Sequence, residues 1–269
     1  LLLMIILGFN SVSAADSTDI VEDSVSDLSV DSSISDTGEE TISDDGLGFD
    51  LEEDLSSGSS SNLLSADSDS IYVSKDGNDD NDGSQDNPVN TVERAIQLAT
   101  AENGPHKVSV AEGNYVVFGI DVDDTYLTIE GAGIDKTIFD GVGYTGGMFS
   151  IYNSNLTIRN LKIIDAVNTG ASGGAFTNMG NLTIENLDVS GCIVKNGNGG
   201  VIYSVGNLNI ANSIFSNNQV IPTDSGGNGG VIYCDGYYTS LSYPPSLNIS
   251  GCEFINNTAK GNGGAIMAD

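Results

Sequence analysis

The chain has 269 residues and a net charge of −30, from 8 Lys and Arg against 38 Asp and Glu. Phosphate binding needs clustered cations, so this balance argues against nucleic acid as a partner. Glycine is frequent (34 residues) without the every-third period of collagen, and one His with three scattered Cys argues against a four-ligand zinc site.

The chain opens on Leu1–Phe9, an apolar run too short to span a bilayer, followed by small residues through Ala15. This pattern predicts an export signal over 1–15, truncated at its start. A spacer over 16–70 follows, with 17 acidic residues between Asp16 and Asp69 and no Lys or Arg before Lys75. Self-repulsion and sparse apolar residues predict that the spacer is disordered. No second long apolar run appears, so any membrane or wall anchor is expected beyond Asp269 or not at all.

Folded sequence is predicted from Ile71, over 71–269. The acidic stretch Asp76–Asp86 places Asn78, Asp80 and Asp82 at alternate positions before Gly83, a spacing that admits calcium. An EF-hand loop starting at Asn78 would need Glu at its twelfth position, where Val89 stands. Val92, Ala95, Ile96 and Ala99 then recur at helical spacing behind Thr91, predicting a short helix with Thr91 as its cap. Such a helix would cover the first turn of a stacked β-structure, whose open end exposes apolar core and unpaired backbone.

Beyond Val108 the chain is self-similar. Leu-x-Ile recurs at Leu127, Leu156, Leu182, Leu208 and Leu247, with spacings of 29, 26, 26 and 39. A Gly pair recurs at Gly146, Gly173, Gly199, Gly229 and Gly263, and Phe-x-x-Asn at Phe215–Asn218 and Phe254–Asn257. Three short strands per unit leave no room for a crossover helix, so identical phrases stack as rungs of a solenoid. The expected fold is all-β, a right-handed parallel β-helix with a short N-terminal capping helix. Alternation turns Leu and Ile of each phrase inward. In that register Arg159 falls between Glu130 and Glu185, Lys162 faces Asp188, and Asn160, Asn186 and Asn212 form one column.

Gly263-Gly-Ala-Ile266, with its variants at Gly199 and Gly229, combined with Phe-x-x-Asn, resembles the repeat of the polymorphic outer-membrane proteins. It is also similar to adhesin-like surface proteins that share the pectate-lyase-type β-helix. The resemblance covers about 71–269 and implies surface display and adhesion. One unit departs from the pattern, with Val189 and Cys192 where Phe and Asn are expected.

The same fold hosts polysaccharide lyases and hydrolases, which need clustered carboxylates. The acids after Gly146 are spread over successive units, so no catalytic residues are assigned and a non-enzymatic role is expected. The alternatives are a carbohydrate-active enzyme whose site lies in rungs beyond Asp269, and a structural wall spacer. The spacing of 39 exceeds 26 by 13, which predicts a loop inserted over 235–246. Tyr237, Tyr238 and Tyr243 in that loop are candidate ligand-binding rings, since exposed aromatic faces stack on sugars. The expected partner is a cell-surface carbohydrate or protein, and no cofactor beyond calcium is expected. Asn155, Asn181, Asn248 and Asn256 begin Asn-x-Ser/Thr sequons and are candidate glycosylation sites. Cys192, Cys234 and Cys252 share no repeat offset and read as small buried hydrophobes.

Overall fold

A computed structural model of the chain describes residues 70–221, 227–236 and 245–269. The predicted export signal over 1–15 and the spacer up to residue 69 lie outside the described residues.

The strands stack in parallel, each unit on the next, as the repeat requires. On the first face Ile71, Val108, Ile129, Ile158, Ile184, Ile210 and Ile249 are successive register partners. Leu127, Leu156, Leu182, Leu208 and Leu247 form the neighbouring column, and all are buried. A second face stacks Tyr115, Phe139, Ile163, Val189, Phe215 and Phe254. A third stacks Ile120, Phe149, Phe176, Ile202, Ile232 and Ile266. The rings of Phe149 and Phe176 lie 5.5 Å apart at 13°, and those of Phe215 and Phe254 lie 5.3 Å apart at 9°. Stacking aromatic on aromatic buries the largest side chains without leaving voids between rungs.

The structure adds a fourth short strand to the three expected in each unit. Val167–Asn168, Ile193–Lys195, Gln219–Ile221 and Thr258–Ala259 pair in parallel as a small separate sheet.

The corners explain the repeated Asn and Gly. Asn160, Asn186, Asn212 and Gly251 follow the first face with φ of 58°, 51°, 51° and 61°. Asn tolerates this left-handed backbone because its short side chain hydrogen-bonds locally. Asn186 also donates through Nδ2 to Asn160 Oδ1 at 2.9 Å. In the Gly-Asn-Gly-Gly phrases, Gly229 has φ 64°, and a Cβ there would collide with the Ile232 carbonyl oxygen. The Asn of each phrase links rungs: Asn228 N–H donates to Asn198 Oδ1 at 2.9 Å, and Asn262 N–H to Asn228 Oδ1 at 2.7 Å.

Phe-x-x-Asn is a core motif. Asn218 is fully buried, accepts from Cys192 N–H at 3.0 Å and donates to the Val189 carbonyl at 3.1 Å. Asn257 repeats the bond to the Phe215 carbonyl at 2.8 Å. In the departing unit Val189 fills the Phe column and Cys192 stands where the ladder of amides ends. Burial pushes the Cys192 and Cys234 thiols up to about 12, so both are inert apolar filler; all three cysteines are free thiols.

The capping helix spans Val92–Ala99 and buries Val92, Ala95, Ile96 and Ala99. Thr91 Oγ1 accepts from Arg94 N–H at 3.2 Å, as a capping residue does. No helix among the described residues is long and apolar enough to cross a membrane.

Candidate functional site: the outer wall of the first face

Every second residue of the first face points outward, so its surface is set by the residues between and after Leu and Ile. Along the position following Ile, Glu130, Arg159 and Glu185 alternate in sign, and Lys107, the register partner of Thr128, reaches Glu130 diagonally from the preceding rung. Glu130 contacts Arg159 at 3.0 Å and Lys107 at 3.6 Å, while Arg159 reaches Glu185 at 3.9 Å. Lys162 meets Asp188 at 2.7 Å. Burial acts to raise the Glu130 pKa. The hydrogen bond and charge of Arg159, aided by Lys107, outweigh it and hold the carboxyl below its usual range. The register read from the sequence is the one observed. Lys107 was not foreseen because its strand, Lys107–Val110, lacks the Leu-x-Ile phrase.

The long side chains stop at Glu185. The next two register partners are Ala211 and Ser250. That drop in side-chain length leaves an open depression of about 360 Å³, with Thr183, Glu185, Asn209, Ala211, Asn248 and Ser250 on its wall. Ile184, Ile210 and Ile249 also line it, and across it Asn248 Nδ2 donates to Asn209 Oδ1 at 2.8 Å. A parallel row borders it: Asn181 donates to Asn155, Asn207 to Asn181 at 2.7 Å, and Ser246 Oγ to Asn207 at 2.8 Å. The depression therefore offers neutral donors and acceptors at the rung spacing, with one carboxylate, Glu185, at its rim.

The insertion reaches this wall, but not as one loop. Ile202 pairs with Ile232, a spacing of 30, whereas Leu208 pairs with Leu247, a spacing of 39. Against the 26-residue unit, 4 extra residues precede Ile232 and only 9 lie between Cys234 and Leu247. The prediction of a single 13-residue insertion at 235–246 is corrected accordingly. Tyr237, Tyr238 and Tyr243 lie outside the described residues. The stem around them is described. Tyr203 donates to Asp235 Oδ2 at 2.9 Å, Tyr203 and Tyr233 stack at 5.9 Å, and Leu208 N–H donates to the Ser246 carbonyl at 2.8 Å. Ser246 is two residues from Asn248, so the longer insertion rejoins the solenoid at the edge of the depression.

The acidic turn is built from local hydrogen bonds. Asn78 Oδ1 accepts from Asp80 N–H at 3.0 Å and Asp82 Oδ1 from Ser84 N–H at 2.9 Å, both two-residue Asx turns. Asp79, which the alternating pattern passed over, carries the structural role. Its Oδ1 accepts from Asn90 and Thr91 N–H at 2.9 Å each, and its Oδ2 from the Thr91 hydroxyl at 2.9 Å. Burial acts to raise its pKa, but these bonds outweigh it and hold the carboxyl low. Among the described residues no three His, Cys, Asp or Glu side chains are grouped to hold a metal ion.

A second concavity of about 400 Å³ lies beside the capping helix, walled by Glu102, His106, Asp121, Asp123 and Asp124. His106 stacks on the exposed Tyr126 ring at 4.0 Å.

Comparison with known protein families then bears on identity. The family model for the Chlamydia polymorphic membrane protein repeat matches residues 212–235 and 251–269. The chain is a parallel β-solenoid with polymorphic-membrane-protein-type repeats. Both matched segments contain a Phe-x-x-Asn strand and a Gly-Asn-Gly-Gly turn, the two motifs whose side chains bind backbone across rungs. A second model, described as a protein of unknown function (DUF1565), matches residues 75–123, the acidic turn, the capping helix and the first rungs. No curated protein and no solved structure matches the chain significantly. The repeat match points to a surface or outer-membrane-associated protein.

Proposed function

We propose that this is an exported, surface-displayed, non-enzymatic adhesin-like protein whose solenoid wall and inserted loop bind carbohydrate or a partner surface. The observation that carries this reading is the adjacency of the depression and the longer insertion. The charge ladder gives way to short side chains at Ala211 and Ser250, and the chain segment bearing Tyr237, Tyr238 and Tyr243 rejoins at Ser246 beside it. Amide rows at strand spacing suit a polyhydroxylated chain, because each hydroxyl is both donor and acceptor and each Asn offers both functions. Aromatic rings from the insertion would supply the apolar contact with pyranose faces.

The test is binding of the full chain to a glycan array and to whole cells, with two variants. Ala211→Trp fills the depression, and the triple change Tyr237→Ala, Tyr238→Ala, Tyr243→Ala strips the rings. Both are expected to lose binding while keeping the parental melting temperature, since surface changes usually cost little stability. Binding that survives both changes would refute the site, and absence of binding to any glycan or cell surface would refute the function.

A further inference from the structure

We propose that Asn256 is the N-glycosylation acceptor of this chain, and that the fold withholds the other three sequon asparagines from modification. The inference rests on the exported role proposed above.

The four Asn-x-Ser/Thr sequons fall on different parts of the solenoid. Asn181 sits inside a row of stacked amides. Its Nδ2 donates to Asn155 Oδ1 at 2.5 Å, and its own Oδ1 accepts from Asn207 Nδ2 at 2.7 Å. Asn155 is the acceptor in that row and has Tyr126 as its register partner on the preceding rung. Asn248 donates through Nδ2 to Asn209 Oδ1 at 2.8 Å in the middle of the outer wall. A pyranose with its hydroxyls is wider than the ~4.8 Å between rungs, so a glycan on any of these three would displace a stacked neighbour. Their sequon Thr and Ser also lie on the same extended strand, two residues along. The hydroxyl therefore points out beside the amide and does not fold back toward it.

Asn256 differs in its place on the solenoid. All four sequon asparagines are exposed, but Asn256 occupies a corner between the Glu253–Ile255 and Thr258–Ala259 strands, with φ 53°. Its carboxamide has no hydrogen-bond partner among the described residues, whereas its neighbour Asn257 is committed to the Phe215 carbonyl. The sequon residue Thr258 is exposed as well. The left-handed backbone at Asn256 breaks the extended geometry in which the other three sequons lie. The residue stacked above, Asn217, shares the left-handed turn at φ 55° but is followed by Asn218 and Gln219 and so forms no sequon.

The transfer consumes a lipid-phosphate-linked glycan. Asn256 Nδ2 bonds to the anomeric carbon and the anomeric C–O bond to phosphate breaks. The lipid phosphate leaves with the electron pair, and one Nδ2 proton passes to the transferase's base.

The experiment uses folded full chain from a host without N-glycosylation, treated with an oligosaccharyltransferase and a defined lipid-linked oligosaccharide. Intact mass and glycopeptide mapping give the readout. Four synthetic peptides, one per sequon, establish that the enzyme accepts each sequence when unfolded. The expected result is a mass increase of one glycan, mapped to Asn256 and lost in Thr258→Ala, with Asn155, Asn181 and Asn248 unoccupied. Modification at any of those three in the folded chain, or an unmodified Asn256 when its peptide is modified, would overturn the proposal. Neither outcome depends on the adhesin reading, which is decided separately by the glycan and cell-binding measurements.

Discussion

Replacing Asn218 by Ala tests whether Phe-x-x-Asn is a structural staple of the solenoid. Asn218 has no exposed surface, and its carboxamide is bonded on both sides. Oδ1 accepts from Cys192 N–H at 3.0 Å, and Nδ2 donates to the Val189 carbonyl at 3.1 Å and to Asn257 Oδ1 at 3.0 Å. Asn257 Oδ1 keeps a partner in the variant, because Asn218 N–H also donates to it at 3.0 Å. Cys192 N–H, which lies outside the strands, does not. Stranding a buried N–H costs ~1–3 kcal/mol and the vacated volume adds about 1 kcal/mol, giving an expected loss of roughly 3 kcal/mol. Asn257→Ala, one rung further along and partly exposed, should cost about half as much. Urea unfolding followed by circular dichroism measures the loss. Amide exchange at Cys192 locates it, since this N–H should exchange faster than those of the strands that flank it, Phe176–Ser190 and Ile193–Lys195. A loss below about 0.5 kcal/mol, the range of an ordinary surface change, would refute the reasoning. So would unchanged exchange at Cys192.

Cys192→Asn should extend the same ladder by one rung and stay within about 1 kcal/mol of the parent, while Cys192→Leu, overfilling a fully buried position, should cost 1–3 kcal/mol. Arg159→Glu should destabilise by about 1 kcal/mol, with part restored by Glu185→Arg; a double-mutant cycle without coupling would break the register argument. Glu130 titrates below its usual 4.5, so its pairing stabilises the fold at neutral pH and that contribution is lost as pH falls through the lowered value. The deficit of Arg159→Met against the parent should therefore shrink in acid, as read from melting temperatures across that range. Gly229→Ala must hold a Cβ at φ 64° against the Ile232 carbonyl, and a loss of ~2 kcal/mol or more is expected in urea melts.

The solenoid was legible because its inward residues are repeated almost verbatim. Leu and Ile at fixed spacing fix the first face, and a one-residue slip would turn both outward. The same offset places Arg159 between Glu130 and Glu185, as their register shows. The fourth strand left no such trace. Val194, Val220 and Ala259 each contribute one inward side chain, and Asn168 stands at the same level, so nothing periodic distinguishes the segment from a turn. The split of the insertion was present in the text, as the 30-residue step from Gly199 to Gly229, but the Leu-x-Ile spacing reports only the sum. The acidic turn reads two ways for a physical reason: Asn and Asp at alternate positions serve Asx turns as well as they serve a cation. The residue that mattered, Asp79, falls between them.

The candidate site was hardest to read because it is made by what is small. Ala211 and Ser250 carry no motif, and their meaning appears only when they are set beneath Arg159 and Glu185 in register. Inward positions and corners are each held by a specific bond or contact, so a change there acts on every neighbouring rung. Outward positions between Leu and Ile meet only the residues directly above and below. Thr157, Thr183, Asn209 and Asn248 show how freely that column changes along one chain without disturbing the stack. Surface chemistry can therefore diversify on the outer wall and in the insertions while the Leu, Ile, Phe and Asn ladders stay fixed. Where two such variable elements meet, at Ser246 and Asn248, the wall can change its surface chemistry without altering its fold.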